Sequence, residues 1–133
     1  MRVYRIERAT DRKGPWSSTG NASHYDSMRH QDHSSCFDGP SPFEEVDTPL
    51  ETLWRSGSRA YDYHFGCASP AQVVGWFSSA MGRRALADKG YHVAIYEVPE
   101  DCVHAGRRQV AFIRPSAPVG LLDLVSLLPA GEC

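Results

Sequence analysis

The segment spanning residues 64–77, HFGCASPAQVVGWF, gathers a serine hydroxyl, a thiol and a run of backbone N–H groups around one turn. Ser69 stands at an N-cap position, Pro70 at the first helical position and Gln72 at the third-residue place of a capping box. A strand that runs straight into a capped helix presents N–H groups at the helix start, where small ligands bind. A second set of residues offers borderline and soft metal donors: His24, His30, His33 and Cys36, then His64 and Cys67. The spacings His30-x-x-His33-x-x-Cys36 and His64-x-x-Cys67 are compatible with Zn²⁺. A polar loop rich in histidine, and a small apolar thiol near the core, account for the same residues without a metal. Cys67 or Cys102 beside a histidine would make a nucleophile, but neither has a recognised catalytic context, and an inert thiol is the simpler reading. The acidic residues Asp38, Glu44, Glu45, Asp47 and Glu51 read as a solvated face.

These residues depend on the elements that carry them. Residues 2–7 alternate as a strand, with Val3, Arg5 and Glu7 on one face and Tyr4 and Ile6 on the other. An irregular region follows over about residues 10–49, marked by Gly14-Pro15, Gly39-Pro40 and Ser41-Pro42. Its aromatics, Trp16, Tyr25, Phe37 and Phe43, argue that it packs on the rest of the chain. Thr48 and Glu51 frame a short helix over 48–54. A strand over 61–65 leads into a helix over 70–80, whose Val73, Val74, Trp76, Phe77, Ala80 and Met81 share one face. A second helical segment over 83–89 stops at Gly90, which suits the left-handed position after a helix. Residues 91–98 alternate as a strand, Pro99-Glu100-Asp101 turns the chain, and Gly106 opens a strand over 107–113. The tail over 119–128 reads as a strand, because Pro118 and Pro129 bound it. Together these predict one α+β domain: an antiparallel or mixed sheet, one principal amphipathic helix and a long N-terminal loop region. Helix 70–80 should bury Val73, Val74, Trp76 and Phe77 against strands 91–98 and 107–113.

With 133 residues, 41% of them hydrophobic and 23% charged, the chain is long enough to bury a core without staples. A formal net charge of −2 gives no broad basic face for nucleic acid. The longest apolar stretch, 119–128, is interrupted by Gly120, Asp123 and Ser126 and falls short of a membrane span. The N-terminal residues lack the apolar core of an export signal, and Cys36, Cys67, Cys102 and Cys133 are scattered without a CxxC pair. Both features predict a cytoplasmic protein with reduced thiols.

The order of three motifs is informative. Arg5 lies in the first strand, Phe65-Gly66-x-x-Ser69 precedes a helix, and Arg107-Arg108-Gln109-Val110 opens a late strand. This order resembles the mono-ADP-ribosyltransferase superfamily. The resemblance implies that Arg5 holds the phosphates or nicotinamide-side ribose of NAD, that Ser69 supports the nicotinamide pocket, and that Gln109 takes the catalytic place. The superfamily has a glutamate there; a glutamine accepts a hydrogen bond but carries no charge to stabilise a cationic ribose. The implied cofactor is NAD, ahead of zinc, and NAD binding would outlast transfer. Tyr4-Arg5-Ile6-Glu7, Trp76-Phe77, Tyr96-Glu97-Val98-Pro99 and Gln109-Val110-x-Phe112 are also similar to small uncharacterised proteins of phages and prophages. That resemblance implies a host-directed role. The leading expectation is therefore an ADP-ribosyltransferase-like, NAD-binding domain that acts on a host protein. The alternatives are a non-catalytic inhibitor that binds a host or defence protein, and a small zinc-supported interaction module. The transferase reading requires Arg5, Ser69 and Gln109 to line one cleft at a split between two sheet halves. Arg5 and Gln109 on opposite faces would put protein binding first.

Overall fold

Strand alternation at the N-terminus and two capped helices set the frame of the computed structural model, which describes residues 1–12, 14, 45–56, 63–77 and 80–127. Strand β1 (Arg2–Arg8) is followed by helix α1 (Pro49–Ser56), strand β2 (His64–Gly66) and helices α2 (Pro70–Trp76) and α3 (Ala80–Asp88). Strands β3 (Tyr91–Glu97), β4 (Val103–Ala105), β5 (Val110–Phe112) and β6 (Gly120–Leu122) complete it. Short 3-10 turns cover Glu100–Cys102 and Leu124–Ser126.

The caps are those the sequence called for. Ser69 Oγ accepts the Gln72 N–H at 3.2 Å, and Gln72 Oε1 reaches back to the Ala68 N–H at 2.8 Å. At α1, Thr48 Oγ1 accepts the Glu51 N–H at 3.3 Å, while Glu51 Oε1 accepts from the Asp47 N–H at 3.2 Å. Gly90, at φ +92°, turns the chain out of α3.

The strands form two antiparallel three-stranded sheets, ordered β1-β3-β6 and β2-β5-β4. The two meet at one bridge, where Tyr4 and Cys67 exchange backbone hydrogen bonds of 2.8 and 2.7 Å. One core lies on the side of α2 and α3 and holds Ile6, Cys67, Val73, Phe77, Leu86, Tyr91, Val93 and Leu124. The opposite side buries Val3, Ala94, Tyr96, Val98, Val110 and Phe112. Gly66 sits at the seam, where an added Cβ would come within 2.7 Å of Val3 Cγ1.

The α+β class and the antiparallel sheets agree with the sequence. The helix expected over 70–80 is instead two. α2 ends at Trp76, and α3 begins at Ala80. The break coincides with two side-chain bonds: Trp76 Nε1 donates to Arg108 O at 2.6 Å, and Phe77 O accepts from Arg83 Nη1 at 2.7 Å. Trp76 is consequently half-buried, and Met81 is exposed, so neither is the core residue expected. The strand expected over 107–113 shrinks to β5, because residues 106–109 form a hairpin turn closed by the Gly106 N–H on Gln109 O at 2.8 Å. The partner of that hairpin, β4, was not anticipated. The tail gives only β6 and a 3-10 turn, whose N–H at Val125 is capped by Asp123 Oδ1 at 2.9 Å. Most of the long loop expected over 10–49 lies outside the described residues.

Phe77→Ala should lower the unfolding free energy by about 3–5 kcal/mol, the cost of emptying a buried aromatic site. Trp76→Ala should cost less in the same urea titration, since its indole is only half-buried.

Candidate functional site

Alternation along β1 puts two charges, Arg5 and Glu7, on the same inward face as Val3. A buried carboxylate needs partners, and Glu7 gathers them from four segments. Arg5 Nε donates to Oε1 at 3.2 Å. The Tyr96 hydroxyl, from β3, donates to Oε2 at 2.7 Å. Arg114 Nη1, just past β5, lies 3.4 Å from Oε1. Arg12 Nε, in the turn after β1, lies 3.6 Å from Oε2.

Backbone carbonyls satisfy other donors of the same arginines. Arg5 Nη1 donates to Phe65 O at 2.8 Å, which fastens β1 to β2. Arg114 Nη1 donates to Arg12 O at 2.7 Å. Arg12 Nη1 donates to Ser116 O at 2.8 Å, and its Nη2 to Pro115 O at 2.9 Å and to Tyr96 Oη at 2.7 Å. Arg12 adopts φ 60°, a conformation uncommon for a residue with a Cβ. His64 pairs with Phe112 in the β2–β5 register and so shares this face. Burial, then the positive charges of Arg5 and Arg114, push its pKa down to about 4, and its Nδ1 is buried without a hydrogen-bond partner.

The residues singled out from sequence are not assembled together. Arg5 belongs to the Glu7 cluster. Ser69 spends its hydroxyl on capping α2. Gln109 is buried and accepts the Gly106 N–H through its carbonyl. Val110 and Phe112 lie on the face of Val3, so alternation turns Gln109 to the other face. By that alternation Gln109, at the end of the 106–109 turn, falls on the side opposite Arg5. His64 and Cys67 are likewise separated, because Cys67 packs with Ile6 on the helix side. Burial raises the Cys67 thiol to about 12, which makes it inert as a nucleophile at neutral pH. His24, His30, His33 and Cys36 lie outside the described residues. Among the described residues no three histidine, cysteine or acidic side chains are grouped to hold a metal ion.

The acidic segment also differs from a solvated face. Glu45 is buried, and its carboxylate accepts the Arg107 N–H at 2.6 Å and the Arg108 N–H at 3.2 Å. Gly106 permits this approach, since a Cβ there would fall 2.6 Å from Glu45 Cδ. Glu51 is committed to α1 through Asp47 and Arg55. Sequence reasoning missed Glu7, Arg12, Tyr96, Arg114 and Glu45. One signal was present: two charges at i and i+2 on a strand face that begins with Val3 must meet partners inside the fold.

The molecule is thus a split-sheet α+β protein with an arginine–carboxylate cluster on one face of the seam. A model of the family described as Bacteriophage T4 Y00F protein matches residues 1–122, and the chain belongs to that family. It is 46% identical over 50 residues to a protein of Enterobacteria phage T4 named "Uncharacterized 19.7 kDa protein in motB-dexA intergenic region". The match covers 38% of this chain and 30% of the relative, so it spans under a third of the relative's length. No solved structure matches the chain. The phage resemblance read from the sequence is shown at the level of the family. No described helix is long and apolar enough to cross a membrane.

Glu7→Ala should cost about 3–5 kcal/mol in chemical denaturation, because it leaves buried guanidinium groups without their carboxylate. His64 should make the fold acid-sensitive. Its folded pKa, about 4, lies below the ordinary value of 6.5, so the unfolded chain binds the proton first. Stability is then full above pH 6.5 and falls as pH drops towards 4. Urea midpoints measured across that window should drop less steeply in His64→Gln than in the parent protein.

Proposed function

We propose that this phage-family protein acts by binding a host or defence protein, and that it does not transfer ADP-ribose. The observation that carries the reading is the apolar edge at β6. Among the described residues this strand is the last of its sheet, and Val119, just before it, and Leu121, within it, are 63% and 60% exposed. Alternation puts both on one face of the sheet. Apolar side chains this open at a sheet edge suit an extended segment of a partner laid along β6 with its own apolar residues facing them. The family is one of phage proteins, which is the setting this reading assumes.

The placement of the motif residues supports the same choice over transfer. Transfer would need a phosphate-holding cation and a ribose-orienting acceptor around one ligand. Arg5 and Gln109 face away from each other, and Arg5 is already bound to Glu7 and Phe65 O.

A photo-crosslinking residue at position 121, in host cells making the protein, should form an adduct with one host protein. The same host protein, purified, should bind the phage protein, and Leu121→Lys should weaken that binding about tenfold or more. Labelled NAD should transfer no ADP-ribose to either protein, and Gln109→Glu should not create such transfer. Transfer by the purified protein, or the lack of any adduct at position 121, would overturn the proposal.

A further inference from the structure

We propose that Arg12, Arg114 and His64 frame a binding site for a small phosphate dianion on the sheet face that carries Glu7. The argument begins with charge. Among the described residues three guanidinium groups surround one carboxylate, which leaves two positive charges in excess. Asp11, the residue before Arg12, is ion-paired with Arg8. The carbonyls of Phe65, Arg12, Pro115 and Ser116 satisfy donors but bring no countercharge.

Excess charge of one sign in a poorly hydrated place is costly unless an ion of the other sign joins it. The cluster also holds two buried polar atoms without a hydrogen-bond partner, Arg12 Nε and His64 Nδ1. Nη2 of Arg114 makes no hydrogen bond among the described residues, and its side chain remains 18% exposed; that of Arg12 is 33% exposed. An anion from solvent can therefore reach the outer edges of the Arg12 and Arg114 guanidinium groups, which the fold has fixed in position. The planar forks of two arginines suit the oxygens of a tetrahedral phosphate, and a dianion matches the excess charge. The site stands apart from the β6 edge and does not rest on the host-protein reading. The phosphate could be free in solution or part of a dinucleotide such as NAD.

Titration calorimetry on the purified protein at low salt, with chloride as the balancing anion, tests the site. Inorganic phosphate, NAD or both should show saturable binding of one ligand per chain. Binding of inorganic phosphate alone assigns the site to the free anion; binding of NAD that phosphate displaces assigns it to the dinucleotide. Arg114→Gln should weaken the bound ligand about tenfold, the loss of one charge-assisted hydrogen bond. Should that variant fail to fold, Arg12→Gln carries the test, because Arg12 is the most exposed of the three arginines. Circular dichroism confirms that the variant used is folded. No saturable binding of either probe to the folded parent protein, or an affinity unchanged in folded Arg12→Gln, would overturn the proposal.

Discussion

The buried carboxylate of Glu7 is the constraint on which the two sheets depend. Among the described residues the sheets share a single backbone bridge, at Tyr4 and Cys67, which is little to hold two halves in fixed relation. Glu7 adds ties that cross the seam. It holds Arg5, whose guanidinium reaches Phe65 O in β2, and it holds Arg114, which follows β5. Tyr96 brings β3 to the same carboxylate, and Arg12 brings the turn after β1. A carboxylate in this position is worth little as a net interaction, because desolvation opposes the attraction. Its consequence is specificity: any other relation of the halves would leave a buried charge unpaired.

A second carboxylate works in the same manner at the other end of the smaller sheet. The β4–β5 turn exposes four backbone polar groups at Arg107 and Arg108, and side chains meet all four. Glu45 accepts both N–H groups, while Gln72 Nε2 and Trp76 Nε1 donate to the two carbonyls at 3.1 and 2.6 Å. The turn is therefore clamped between the segment before α1 and the exposed side of α2. This clamp also falls where α2 stops. Trp76 packs against the helix-side core while its Nε1 reaches Arg108 O, and the chain restarts as α3, which adds Leu86 to the same core.

Local signals made much of the fold legible. The Ser69 and Thr48 caps, the glycine after α3 and the alternation of β1 and β3 all lie within a few residues of the feature they determine. What could not be read depends on distant pairing. β4 is three residues long and has little pattern of its own; its pairing with β5 defines it. Trp76 fits a core stripe by spacing and does pack against the core, but its bond to the distant Arg108 carbonyl could not be read from spacing. The arginine–carboxylate cluster was half visible, as two charges on an inward strand face. Its other members come from positions as far apart as 12 and 114.

The same distinction decides the reading of Arg5 and Gln109. Their order along the chain resembles a transferase pattern, but order does not fix the face. That depends on register. Gly66 pairs with Val110 and Tyr4 bridges Cys67, so Gln109 falls in the row of Tyr4 and Cys67, and Arg5 in the row of Gly66 and Val110. Adjacent rows present opposite faces, and a slip of one residue in either pairing would have reversed the outcome. Gly66 resists such a slip. A side chain in its place would strike Val3 and Phe112, which buries this row tightly against the second core. Packing at the seam thus separates the two motif residues and commits Arg5 to Glu7. A motif can keep its order in sequence while the register of the sheet gives its residues to different faces, and with them to different work.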